Sequence, residues 1–76
     1  MTTVAVLRGG MGDEHAVSVK TGAALLSHLP ETYRPLDIFI DRTGVWHMRG
    51  VPLSPERSLA GADVAINALH GAYGED

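Results

Sequence analysis

An apolar run that ends in a glycine pair and restarts as a helix constrains this chain more than any other feature. Residues 4–10 read Val-Ala-Val-Leu-Arg-Gly-Gly, and Asp13-Glu14 open the periodic stretch that follows. The run from Thr3 to Leu7 is rich in β-branched residues and apolar on both faces, the pattern of a strand buried in a parallel sheet. Gly9-Gly10 bounds it and supplies the positive φ of a tight strand-to-helix turn. Beyond the turn, Val19, Gly22, Ala23, Leu26 and Leu29 recur on one helical face, and Gly22 lets that helix approach the sheet closely. Asp13 is expected as the N-cap, its carboxylate accepting from the free N–H groups of the first turn. Glu14 places negative charge near the positive end of the helix dipole. Pro30 ends the helix.

The remaining pattern alternates strands and turns. Leu36-Asp37-Ile38-Phe39-Ile40-Asp41 reads as a second strand, and Arg42-Thr43-Gly44 as a turn. Val45-Trp46-His47-Met48 is expected to return as a short antiparallel strand, closing a hairpin. Gly50, Pro52, Pro55 and Gly61 predict an irregular connection over 49–61 with one helical turn. Residues 62–69 form the third main strand. The β-α-β order at the start predicts parallel strands with a right-handed crossover. The expected fold is therefore α/β: a small Rossmann-like parallel sheet of three main strands, with one main helix and a short hairpin, in a single domain over residues 1–76.

Size and charge narrow the functions open to such a fold. A chain of 76 residues buries only roughly 60–65% of its unfolded surface. A core this small, with an uncovered sheet edge, is expected to self-associate, with a homodimer the expected form. Six Lys and Arg against nine Asp and Glu give a net charge of −3. No basic patch follows a phosphate backbone, so nucleic acid is not an expected partner. No apolar run approaches the roughly 20 residues that span a bilayer, so no membrane partner is expected. The N-terminus lacks the charged and apolar regions of a signal peptide, which makes a cytoplasmic location the default. The absence of cysteine excludes disulfides and thiolate metal sites.

Two common phosphate-binding patterns fail. If Gly10 and Gly12 opened a dinucleotide G-x-G-x-x-G, the third glycine would stand at position 15, which is His15. Asp37 and Asp41 are the ribose-binding candidates of that reading, which stays weak without the third glycine. No Walker-type G-x-x-x-x-G-K-[ST] occurs. His15, His28 and His47 show no metal-ligand spacing, so no metal site is expected within this chain.

The last seven residues, His70-Gly71-Ala72-Tyr73-Gly74-Glu75-Asp76, carry a different signal. A strand that ends in His-Gly and leads to two carboxylates reads as site architecture. A domain rarely stops inside its most elaborate loop, so the chain is expected to be the front part of a longer protein. Ligands of open parallel sheets bind at the C-terminal edge of the strands. Glu14 stands at that edge, where it can accept charge-assisted hydrogen bonds from an ammonium group. Its structural alternative is a helix-terminus acid. His70 can hydrogen-bond a substrate carboxylate or a phosphate leaving group, or can be merely structural. Ser18 reads as a helix-surface hydroxyl. Glu75 and Asp76 are expected to cap a following helix, Gly71 and Gly74 give turn freedom, and Trp46 and Tyr33 read as packing residues.

Together the two segments closely resemble the N-terminal, pre-ATP-grasp domain of D-alanine–D-alanine ligases, in the ATP-grasp superfamily. That family typically shows Gly-Gly-x-Ser-x-Glu-x-Glu-Val-Ser after a first strand, and later His-Gly-x-x-Gly-Glu-Asp. This chain matches the second motif completely, and the first at Gly9, Gly10, Glu14, Val17 and Ser18. It departs at Gly12, where Ser is usual, and at Ala16, where a second Glu is usual.

The resemblance implies a truncated N-terminal substrate-binding domain, joined in the parent to further ligase domains. It implies Glu14 and His70 as the catalytic pair. Glu14 would hold the amino group of the first D-alanine and His70 its carboxylate, with Val17, Ser18 and Gly71 also lining the substrate. ATP and Mg²⁺ are implied for the parent ligase, held by residues outside this chain. The isolated chain is then expected to be inactive. Two alternatives stay open: a stand-alone α/β small-molecule-binding or interaction module, and a ligase with a different second substrate such as D-lactate or D-serine.

Overall fold

The computed structural model describes residues 1–69. Along the chain it runs β1 (Thr2–Gly9), α1 (His15–His28), β2 (Tyr33–Ile40), β3 (Trp46–Met48), β4 (Val51–Pro52), α2 (Pro55–Leu59) and β5 (Val64–Asn67). The strands form one sheet in the order β4-β3-β2-β1-β5. β1 lies parallel to β2 on one side, with Val6 opposite Asp37 and Arg8 opposite Phe39. On its other side it lies parallel to β5, with Val6 opposite Ile66 and Leu7 opposite Asn67. β3 and β4 fold back antiparallel along the outer side of β2.

β1 is apolar on both faces because both are covered. Val4, Ala5 and Val6 are buried, as are Ile38 and Ile40 of β2. α1 covers the face that carries Arg8. A Cβ added at Gly22 would meet the Arg8 Cβ at 2.5 Å, so the glycine sets how closely the helix approaches the sheet. Arg8 runs beneath the helix and donates from Nη1 to the Val19 carbonyl at 3.0 Å. Its Nε and Nη2 donate to the two Asp37 carboxylate oxygens at 2.9 and 2.7 Å, a bidentate pair. α2 lies toward the opposite face, where Ser58 shares a cleft with Leu36, Met48 and Leu53. Ser54 caps α2, its hydroxyl accepting from the Arg57 N–H at 3.2 Å. Among the described residues no helix is long and apolar enough to cross a membrane.

The three parallel strands, single main helix and hairpin agree with the sequence pattern, and the differences are local. β1 and β2 are each eight residues long, because parallel pairing carries both beyond their most apolar stretch. β5 is only four residues long. Its flanks are held by other bonds. Asp63 accepts from the Thr3 N–H through Oδ2 at 2.8 Å and donates its own N–H to the Thr3 carbonyl at 2.8 Å. β4 was not expected. It pairs Val51 with Met48 and Pro52 with His47, and a proline is tolerated there because β4 is an edge strand.

The start of α1 also differs. The N-cap is Glu14 rather than Asp13, and no side chain caps the helix. The buried stripe is rotated by about a residue: Ser18 and Gly22 are buried while Ala23 is exposed. Small residues occupy the line of closest approach to β1, so the apolar periodicity is weakest where the contact is tightest.

Candidate functional site

Three elements converge at the C-terminal edge of the sheet. β1 ends in Gly9 and Gly10, whose φ values are +104° and +94°. A Cβ at Gly9 would collide with the Ile40 carbonyl, and that carbonyl accepts from the Gly10 N–H at 2.7 Å. The turn therefore demands glycine for conformation and for space.

Glu14 follows as the α1 N-cap, with φ −90° and ψ 12°. Its carbonyl accepts from the Ser18 N–H at 2.9 Å. Its carboxylate makes no capping bond and is exposed, which leaves it open to a ligand. Val17 is 49% exposed, one turn along the helix.

Ser18 is not a surface hydroxyl: it is fully buried. Its Oγ accepts from the Gly9 N–H at 2.9 Å and donates to the Ala68 carbonyl at 2.8 Å. The side chain thus touches the end of β1 and the exit of β5 at once. The Ala68 N–H donates to the Leu7 carbonyl at 2.9 Å, and the Leu69 N–H to Asn67 Oδ1 at 2.8 Å. His70 and Gly71 lie outside the described residues, as do Tyr73, Gly74, Glu75 and Asp76.

The position of this edge matters. From β1 the chain turns through α1 to β2 on one side. From the hairpin it returns through α2 to β5 on the other side. β1 and β5 are therefore neighbours whose connections diverge, the topological switch point at which open parallel sheets form ligand crevices.

A second polar cluster lies along the same edge. Asp41 Oδ1 accepts from the Thr43 hydroxyl at 2.6 Å, the Thr43 N–H at 2.9 Å and the Val45 N–H at 3.0 Å. His47 Nε2 donates to Oδ2 at 2.9 Å. The Thr43 hydroxyl, then His47 and the Val45 N–H, hold the Asp41 carboxyl far below the usual carboxylate range. Phe39 stands between two imidazoles: His15 meets it edge-on with ring centres 5.4 Å apart, and His47 lies tilted at 5.9 Å. His15 Nδ1 lies 2.7 Å from the Gly10 carbonyl. A carbonyl can only accept, so Nδ1 carries the proton.

His15 and His47 escaped sequence reasoning, which weighed them only as metal ligands. The signal available was the aromatic Phe39 opposite His47 in a predicted hairpin. Asp37 pairs with Arg8, and Asp41 with Thr43, Val45 and His47. Among the described residues no group of three or more His, Asp or Glu side chains could hold a metal ion.

No protein-family model matches the chain. Individual proteins do. The D-alanine–D-alanine ligase of Solibacter usitatus is 41% identical over 75 residues, covering 96% of this chain and 22% of that protein. D-alanine–D-alanine ligase B of Brucella suis is 42% identical over 74 residues, covering 96% of this chain and 21% of that protein. The vancomycin/teicoplanin A-type resistance protein VanA of Enterococcus faecium is 36% identical over 100 residues, covering 96% of this chain and 29% of that protein. The chain thus spans less than a third of the length of the curated relatives it matches. Aligned over nearly its whole length with proteins of that name, the chain belongs to the D-alanine–D-alanine ligase family.

Proposed function

We propose that this segment is the N-terminal substrate-binding domain of an ATP-dependent D-alanine–D-alanine ligase, and that it forms the subsite for the first D-alanine. Glu14 receives the ammonium group and His70 the carboxylate. Val17 and Gly71 line the same crevice. The opposite charges of the zwitterion then select an amino acid over a simple acid. The observation that carries this reading is the parallel pairing of β1 with β5. Glu14 follows the first of these strands, and His70 comes three residues after Asn67, the last residue of the second. Neighbouring strands lie about 4.8 Å apart, a spacing that suits a crevice the width of one amino acid at that edge.

In the parent reaction ATP phosphorylates the carboxylate of the first D-alanine. The amine of a second D-alanine attacks the acyl phosphate and expels inorganic phosphate. The dipeptide serves peptidoglycan synthesis in the cytoplasm. ATP and Mg²⁺ are held by residues outside this segment in a homodimeric parent, and the isolated segment is inactive. A second reading keeps the first subsite and changes the second substrate. It is supported by a Streptomyces coelicolor protein provisionally named a D-alanine–D-lactate ligase, 33% identical over 100 residues.

Glu14→Gln in a ligase carrying this segment tests the assignment. Loss of a charge-assisted hydrogen bond is expected to raise KM for the first D-alanine by about ten- to a hundredfold. KM for ATP should stay within about twofold of wild type. An unchanged D-alanine constant would make Glu14 a helix-terminus acid only. Calorimetric titration of the isolated segment with Mg-ATP adds a second check: a micromolar Kd would show that nucleotide binding belongs to this segment after all.

A further inference from the structure

We infer that Ser18 is a positioning residue: its hydroxyl is a wedge that holds β1 and β5 apart at the mouth of the crevice and so sets the span between the Glu14 end of α1 and the exit of β5 at Ala68. The inference rests on the D-alanine subsite proposed above and adds to it a residue that touches no substrate.

The hydrogen-bond pattern carries it. β1 and β5 pair in parallel as far as Leu7 and Asn67. The Ala68 N–H still donates to the Leu7 carbonyl at 2.9 Å. In a parallel ladder the next bond would run from the Gly9 N–H to the Ala68 carbonyl. That bond is replaced by two. The Gly9 N–H donates to Ser18 Oγ at 2.9 Å, and Ser18 Oγ donates to the Ala68 carbonyl at 2.8 Å. One oxygen from α1 is inserted into the ladder at the switch point, and the strands part there.

A serine is suited to this place. A hydroxyl accepts on a lone pair and donates one proton, which matches the N–H on one side and the carbonyl on the other. Full burial keeps water from competing for either bond. The same residue's N–H donates to the Glu14 carbonyl at 2.9 Å. Ser18 therefore bonds the backbone of Glu14, the end of the strand before it, and the residue two places before His70. Gly9 adds rigidity, because its turn is fixed by the Ile40 carbonyl.

The test uses Ser18→Ala and Ser18→Thr in a ligase carrying this segment, with rates normalised to active sites. Without the hydroxyl, the ladder either zips shut or leaves two buried groups unpaired. Ser18→Ala is expected to raise KM for the first D-alanine about tenfold, with KM for ATP within about twofold. Ser18→Thr restores the hydroxyl and should return the D-alanine constant to within about threefold of wild type. With rates normalised to active sites, a merely structural serine would leave both constants unchanged or move them together, and either result overturns the wedge.

Should Ser18→Ala yield no folded enzyme, Ser18→Cys takes its place. A thiol is a weak donor, so its D-alanine constant should lie above that of Ser18→Thr, and equality would overturn the inference. Glu14→Gln in the same series separates the two ideas. If it leaves the D-alanine constant unchanged, the subsite reading fails and the wedge with it. If it raises that constant while Ser18→Ala does not, the wedge alone fails.

Discussion

Two polar clusters sit on the same edge of the sheet and are built in opposite ways. Between β1 and β5, the Ser18 hydroxyl bridges groups 9 and 50 residues away in sequence, in full burial. Between β2 and β3, the Asp41 carboxylate gathers donors only two to six residues away, at a half-exposed turn. A neutral hydroxyl with one proton and free lone pairs can be sealed between two backbones at little desolvation cost. A carboxylate only accepts and is costly to bury, so it stays where water still reaches it. The hairpin cluster organises its own turn and needs little help from the fold. The serine cluster exists only once helix and both strands are in place, which makes it the one able to transmit geometry to a ligand crevice.

The strongest way to break the buried cluster leaves the serine alone. Gly9→Ala would place an L-residue at φ +104° and drive its Cβ into the Ile40 carbonyl. Strain and overpacking together should cost about 3 kcal/mol or more, read from denaturant unfolding. A loss below about 1 kcal/mol would mean that the turn relaxes easily and that the buried side is no more rigid than the hairpin.

Ser18→Ala is the next largest effect. It leaves a buried N–H and carbonyl without their shared partner, which should cost about 2 kcal/mol of stability. Thr43→Ala deletes the corresponding hydroxyl of the hairpin, donated to Asp41 at 2.6 Å. Its effect should be clearly smaller, because water replaces the lost donor at an exposed turn. Equal losses in the two variants would erase the distinction between local and long-range clusters.

The sequence made one cluster visible in part and hid the other. Gly9 and Gly10 announced a turn with positive φ, and both adopt it. Gly22 was legible as a close-contact glycine, and Arg8 fills that contact. The hairpin was legible because Thr43-Gly44 lies between two strand patterns. Ser18 was misread as a surface residue, because a serine among apolar helix positions carries no periodic signal. Its burial follows from how near α1 comes to β1, a tertiary distance that Gly22 permits but does not announce. Asp13 looked the better cap by residue type. The glycine-rich turn carries the chain one residue further before the helix begins, which leaves the Glu14 carboxylate outside any capping bond. β5 was overestimated because Ala68 and Leu69 continue the apolar pattern past the last ladder pair, where the Ser18 hydroxyl interrupts the pairing.

The smallest effect is electrostatic, and it separates the clusters by pH. The Thr43 hydroxyl, His47 and the Val45 N–H hold the folded Asp41 carboxyl far below its ordinary value of 3.8. On acidification the unfolded chain therefore takes up this proton before the folded chain does. The stabilisation from Asp41 is complete above the ordinary carboxylate value and is lost as pH falls toward the folded one. Asp41→Asn removes that titration. Its deficit relative to wild type should be widest near neutrality and close progressively between about pH 4 and pH 2. Ser18→Ala carries no titrating group, so its deficit should stay level over the same range. Urea unfolding of both variants between about pH 6 and pH 2 reads the contrast directly. A constant gap for Asp41→Asn would mean that its bonds do not favour the ionised form, and that the hairpin is held by turn geometry alone.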